Sequence, residues 1–211
     1  MKTQEVNIDE EFTGAVQAAQ KIFFAGGVFA YPTDTIYGFG ANPFNKEAVD
    51  KISAIKQRDD SKRYIYLAGD IQTVLKYTNV QHDYFVDFLL SIWPNPVTVI
   101  LPVKKEYSDV FNTETIGLRI PNHTFCLKLL NAIKMPLIST SINRSGQEPL
   151  NEYSQIAQEF TDEMDALFYS VKKQFTRVST VISLASGQLE LVREGRVHFN
   201  EIFTKFEDTR K

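Results

Sequence analysis

From residue 9 to 25, apolar positions recur at three-to-four spacing (Phe12, Val16, Ala19, Phe23), and Gly26 closes the run. That period predicts an amphipathic helix stopped by glycine. Residues 28–31 are apolar and β-favouring, and predict the first strand. Asn45 is placed as the N-cap of a second helix whose stripe is Ala48, Val49, Ile52 and Ile55. That helix runs into a highly charged turn over residues 56–63. A strand is predicted at 64–68, with Asp70 capping a short helix after it. Residues 83–92 predict a helix burying Phe85, Phe88, Leu89 and Ile92, and Pro94 ends it.

The β-branched run 97–103 predicts a strand, as do residues 116–120, which stop at Pro121. Residues 123–133 read as a helix through Phe125, Leu127, Leu129 and Leu130. A strand at 137–141 then opens into a polar loop over 142–149. Helical periodicity returns at 154–160, residues 166–169 look extended, and 180–184 with 188–192 suit a hairpin across Ala185-Ser186-Gly187. Residues 201–206 predict at most a short docking helix. Strands alternate with helices over the first two thirds, which predicts an α/β fold. The closing hairpin makes the sheet mixed. No linker, repeat or low-complexity stretch interrupts this order, so one domain is expected.

Composition narrows the function more than the fold. With 43% hydrophobic and 23% charged residues, the 211-residue chain is that of an ordinary globular domain. No apolar run approaches the ~18 residues of a membrane span. The start Met1-Lys2-Thr3-Gln4-Glu5 lacks the apolar core of a secretory signal, and the lone Cys126 excludes an internal disulfide. A cytoplasmic protein is expected. A net charge of −3 argues against broad electrostatic capture of nucleic acid but leaves room for a local basic groove. His82, His123 and His198 stand in no metal-ligand spacing, so no protein-built metal site is assigned.

Four polar clusters fall at predicted strand or helix ends: Thr33-Asp34-Thr35, Lys56 with Arg58, Ser139 to Asn143, and Ser179-Thr180 followed by Arg193. Thr115 and Arg119 can join them. Strand ends on one sheet edge converge in space, so these clusters are placed around one basin. Singly, each also suits a structural duty, such as cations at a helix C-terminus or an Asx turn. Together they offer cations and hydroxyls without a nucleophile–base pair. That set suits gripping phosphates and a zwitterion rather than forming an acyl-enzyme. No phosphate-binding glycine loop of the usual spacings is present; Gly38-Phe39-Gly40 is only a pair of glycines.

Seven stretches occur in a telling order: Tyr31-Pro32-Thr33-Asp34-Thr35-Ile36-Tyr37-Gly38, Lys56-Gln57-Arg58, Trp93-Pro94-Asn95-Pro96-Val97-Thr98, Ile116-Gly117-Leu118-Arg119-Ile120-Pro121, Ser139-Thr140-Ser141-Ile142-Asn143-Arg144-Ser145-Gly146, Ser179-Thr180-Val181-Ile182 and Val192-Arg193-Glu194-Gly195. The series resembles the YrdC-like family, which includes the threonylcarbamoyl-AMP synthases. The resemblance implies a YrdC-type twisted mixed β-sheet flanked by helices around a concave basin. It places the domain at residues 10–197, with 198–211 as a C-terminal extension.

It also implies a nucleotidyltransferase that converts L-threonine, bicarbonate and ATP to threonylcarbamoyl-AMP and pyrophosphate, with Mg²⁺ arriving on the ATP. The product would pass to proteins that complete threonylcarbamoyladenosine in tRNA. By resemblance Lys56, Arg58, Ser141 and Asn143 are the catalytic set. Thr33, Arg119, Ser141 and Ser179 match threonine-binding positions, and Lys56, Arg58, Thr115, Asn143 and Arg193 match ATP-binding ones. The chain departs from the usual pattern with Asp59-Asp60 after Arg58, Asn95 where glycine is common, and Ile142 where alanine is common. The alternatives are a YrdC-like paralogue serving as a weakly RNA-binding or assembly module, and carbamoyl transfer to another acceptor.

Overall fold

Side-chain alternation along the strands decides what each face of the sheet carries. The protein is described by a computed structural model over residues 2–57 and 63–211. The strands are β1 (Gln4–Asn7), β2 (Phe29–Tyr31), β3 (Gly38–Ala41), β4 (Ile65–Leu67), β5 (Val97–Pro102), β6 (Thr115–Arg119), β7 (Leu137–Ser141), β8 (Ala166–Tyr169), β9 (Thr180–Ser183) and β10 (Glu190–Arg193). The helices are α1 (Phe12–Phe24), α2 (Lys46–Lys56), α3 (Ile71–Tyr77), α4 (Asp83–Ile92), α5 (Ser108–Phe111), α6 (Thr124–Ile133), α7 (Tyr153–Phe160) and α8 (Phe199–Thr209). Among the described residues the strands form one 10-stranded sheet, ordered β1-β8-β2-β3-β7-β4-β6-β5-β9-β10. Parallel pairs (β1 with β8, β4 with β6, β5 with β9) mix with antiparallel ones such as β3 with β7. The expected mixed α/β fold is present.

Helices cover both faces. On one, Ala30, Phe39, Tyr66, Val99, Leu118, Ile138 and Ile182 pack against Ile52 of α2, Phe88 of α4, Phe160 of α7 and Phe206 of α8. On the other, Phe29, Tyr31, Leu67, Leu137 and Phe168 meet Phe23 of α1 and Phe125 and Leu129 of α6. That second apolar surface gives out part-way across the sheet. Opposite Leu67 in the ladder stands Arg119, and opposite Ile65 stand Gly117 and Ser139. Opposite Gly38 stands Ser141. Polar and side-chain-free positions therefore take over the same face where α1 and α6 no longer cover it. This uncovered, polar half-face is the floor of the basin.

The predicted caps form. Asn45 Oδ1 accepts from the Ala48 N–H at 3.0 Å and Asp70 Oδ1 from the Thr73 N–H at 2.7 Å. Besides the short, unexpected α5, three elements differ from the sequence-based expectation. β1 is largely polar because it is an edge strand. β3 replaces an expected loop: its Gly38 and Gly40 lack strand propensity, yet a Cβ on Gly40 would come within 2.9 Å of the Phe29 and Tyr31 rings. The C-terminal helix is longer than expected, spanning Phe199–Thr209, and its Ile202 and Phe206 enter the core against α4. The charged turn over 58–62 lies outside the described residues.

Candidate active site

Pro32 ends β2, and the next residues fold back as a polar turn. The Thr33 hydroxyl donates to the Ile36 carbonyl at 2.8 Å and accepts from the Thr35 N–H at 3.0 Å. Its oxygen also lies 2.9 Å from Thr35 Oγ1. Thr35 in turn accepts from Arg119 Nη1 at 3.1 Å, and Asp34 Oδ1 lies 3.3 Å from the same nitrogen. Both members of this ion pair are buried. The turn thus grips a guanidinium delivered by the end of β6.

Arg119 lines a cavity of about 330 Å³ with Thr35, Gly38, Arg63, Ser139, Ser141, Ser179 and Arg193 among its walls. Among the described residues no carboxylate lines it. Ser179 Oγ lies 2.9 Å from Thr98 Oγ1, and the Ser179 carbonyl accepts from Arg193 Nη2 at 3.0 Å. Burial first, and the neighbouring Arg119 guanidinium second, push Arg193 below the ordinary arginine value. It stays cationic even so, because that ordinary value is far above neutrality. Two like charges facing a hydroxyl-lined hollow form a receptor for an anion.

A second network stands behind Ser141. Lys56, at the end of α2, is buried, and its ammonium donates to the Ser141 carbonyl, to the Asn143 carbonyl at 3.0 Å and to Asn143 Oδ1 at 2.8 Å. Ser141 Oγ donates to the same Oδ1 at 2.7 Å. Asn143 Nδ2 donates to the carbonyls of Arg144 at 2.9 Å and Gln147 at 2.7 Å, which fixes the amide's orientation. Arg144 then ties the loop down by a two-pronged pair with Glu163, at 2.6 and 2.8 Å.

Comparison with known proteins places this arrangement. Residues 21–195 match the profile described as Sua5_yciO_yrdC, "Telomere recombination". The chain belongs to the Sua5/YciO/YrdC family. Its fold is similar to that of P. abyssi Sua5 complexed with L-threonine, with a TM-score of 0.86 and 25% identity over 96% of this chain. It spans 60% of that protein. A second P. abyssi Sua5 structure, of an H234A/Y235A variant, gives a TM-score of 0.83 at 26% identity, covering 96% of this chain and 63% of that one. E. coli YciO gives 0.79 at 26% identity, covering 90% of this chain and 93% of that one.

Within this Sua5/YciO/YrdC domain the sequence-expected residues divide into three groups. Arg119, Ser141, Ser179 and Arg193 share the cavity wall. Lys56 and Asn143 stand behind Ser141 as its clamp, and Thr33 is bonded inside its turn while Thr35 faces the hollow. Thr115 accepts from Arg63 Nη1 at 2.9 Å and lines an adjacent cavity of about 280 Å³. Arg63 borders both cavities. Arg58 and the Asp59-Asp60 pair lie outside the described residues. Ser139 and Arg63 are wall residues outside the expected catalytic and binding sets; Ser139 belongs to a polar cluster that the sequence placed around the basin, whereas nothing in the sequence marks Arg63.

Among the described residues no group of three or more His, Cys, Asp or Glu can hold a metal ion, and no helix is long and apolar enough to cross a membrane.

Proposed function

We propose that the protein is an L-threonylcarbamoyladenylate synthase, joining L-threonine, bicarbonate and ATP into threonylcarbamoyl-AMP with release of pyrophosphate and water. The observation that carries this reading is the pairing of Arg119 and Arg193 over a floor of serine and threonine hydroxyls, with no carboxylate among the described residues of the wall. The threonine complex of P. abyssi Sua5, a member of the same family, supports it. Arg119 would take the amino acid's carboxylate, for which a guanidinium edge is the right shape. Thr35, Ser139 and Ser179 would bond its remaining polar atoms.

Bicarbonate supplies carbon dioxide with loss of water, and the amine of threonine adds to it and gives up its proton to form a carbamate. A carbamate oxygen attacks the α-phosphorus of ATP, and the bond to the β-phosphate oxygen breaks as pyrophosphate leaves. Such transfers need positioning and neutralised charge more than covalent help. Arg193 and Arg58 would supply the charge. Lys56 would act through Ser141 and Asn143, holding that segment against the nucleotide, with Thr115 on the nucleotide side. The donor set does not fit a protein-built magnesium site, so Mg²⁺ belongs to the nucleotide substrate, on its phosphate oxygens. The product would feed completion of the tRNA modification by other proteins.

Pyrophosphate release from ATP, bicarbonate and purified protein tests the proposal. Release should rise on adding L-threonine; no threonine-dependent release across a range of Mg²⁺ refutes it.

A further inference from the structure

Among the described residues four buried side-chain nitrogen or oxygen atoms have no hydrogen-bond partner: Tyr31 Oη, Asp34 Oδ1, Arg119 Nε and His123 Nδ1. Two of them belong to a single ion pair. Folded proteins rarely leave such atoms unbonded, so two on one pair call for an explanation.

The pair is held asymmetrically. Asp34 is anchored from outside the cavity: its Oδ2 accepts from the Asn122 N–H at 3.0 Å, and its carbonyl accepts from Arg196 Nη1. Its Oδ1 faces Arg119 Nη1 at 3.3 Å. The same Nη1 donates to Thr35 Oγ1 at 3.1 Å, and Thr35 is locked by Thr33. One corner of the guanidinium is therefore fixed. Among the described residues Nε has no acceptor, and the guanidinium's hydrogen bond runs from Nη1 to Thr35, not from Nη2. Nε and Nη2 point the same way, and that edge binds a carboxylate through two parallel N–H···O bonds.

We propose that Asp34 is a positioning residue: by holding Arg119 at Nη1 it turns the Nε–Nη2 edge toward the substrate's carboxylate. The inference rests on the threonine-site reading above and assigns Asp34 a task beyond shaping its turn. It also accounts for the placement of an acidic residue beside a site that receives an anion. Asp34 opposes the bound carboxylate by charge, but its anchoring at the far corner makes orientation its main contribution.

Selectivity for the carboxylate separates the roles. Affinities of wild type and Asp34→Asn are measured by calorimetry for L-threonine and for L-threonine amide, which lacks the charge. Positioning predicts that the preference of wild type for threonine over the amide shrinks about tenfold in the variant, a size typical of one misaligned charged bond. A merely structural Asp34 would weaken both ligands equally. A charge-damping Asp34 would sharpen the preference. Either outcome overturns the proposal.

Wild type that binds neither ligand overturns the threonine reading, and the positioning role falls with it. Wild type that binds both, with unchanged selectivity in the variant, overturns the positioning role alone. A measurement independent of how the variant folds uses wild type labelled with ¹⁵N-arginine, Arg119 being assigned by its loss in Arg119→Lys. A guanidinium held at Nη1 gives separate Nη signals before any ligand is added; averaged signals overturn the proposal.

Discussion

Gly195 joins β10 to α8 where the chain presses against the entry to β9, and alanine there should damage stability and catalysis together. A Cβ on Gly195 would lie 2.4 Å from the Ser179 carbonyl carbon, and 2.5 Å from the carbonyl oxygens of both Ser179 and Val178. All three are backbone atoms, so no side chain can swing aside. Ordinary contact begins near 3.4 Å, so the two segments must part by about 1 Å. Three of the bonds across that seam lie nearest the clash: Arg196 N–H to the Val178 carbonyl at 2.9 Å, Gly195 N–H to Thr180 Oγ1 at 3.0 Å, and Arg193 Nη2 to the Ser179 carbonyl at 3.0 Å.

Weakening them at ~1 kcal/mol each, with an overpacking cost of similar size, gives a loss of about 3–5 kcal/mol. For a chain of this length that lowers Tm by roughly 6–20 °C. Arg193 and Ser179 both line the cavity, and a displacement near 1 Å costs about a hundredfold in turnover. Thermal unfolding and threonine-dependent pyrophosphate release read the two effects. Gly14→Ala is the control. It adds a methyl group to α1 with nothing within 4 Å, and should stabilise by about 0.5–1 kcal/mol. A Gly195→Ala protein with unchanged Tm and turnover refutes the argument.

Three further outcomes follow from particular contacts. Lys56→Met removes the ammonium from the Ser141 and Asn143 acceptors. It should cost about 2–4 kcal/mol in urea unfolding and about a hundredfold in threonine-dependent turnover. The Cys126 thiol is fully buried, and burial holds it well above its ordinary value. It should resist a thiol reagent at neutral pH until the protein unfolds. Arg144 hydrogen-bonded to Glu163 holds that carboxyl below its ordinary value. A depressed carboxylate stabilises above its unfolded value and loses that contribution as pH falls from about 4.5 through the folded value. Glu163 is partly exposed, so the effect is modest; Glu163→Gln should flatten that acid limb in pH-dependent unfolding.

The sequence carried the elements whose period is their own. Helices α1 and α2 are written in the spacing of Phe12, Ala19 and Phe23 and of Ala48, Ile52 and Ile55, and the caps Asn45 and Asp70 are local chemistry. It could not show β3, because Gly38 and Gly40 are present for what their neighbours need rather than for strand propensity. The site divides the same way. Residue types around the basin were legible, since hydroxyls and cations at strand ends mark a ligand edge.

Which of them meet was not legible. Lys56 looks like a solvated cation closing a helix, yet it is buried because a loop more than eighty residues later folds its carbonyls over it. Arg63 closes in a charged run but reaches Thr115 and both cavities. Such pairings are set by β-sheet register, and a one-residue slip would send Ser139 and Ser141 to the opposite face.

Transfer of ¹³C from labelled bicarbonate into an AMP adduct tests the central claim most directly. The protein is incubated with ATP, Mg²⁺, L-threonine and ¹³C-bicarbonate, and the products are separated and weighed by mass spectrometry. A threonylcarbamoyl-AMP species heavier by one ¹³C, absent when threonine is omitted and lost in Arg119→Ala, is the predicted result. Absence of that species while ATP and threonine are both shown to bind contradicts the account.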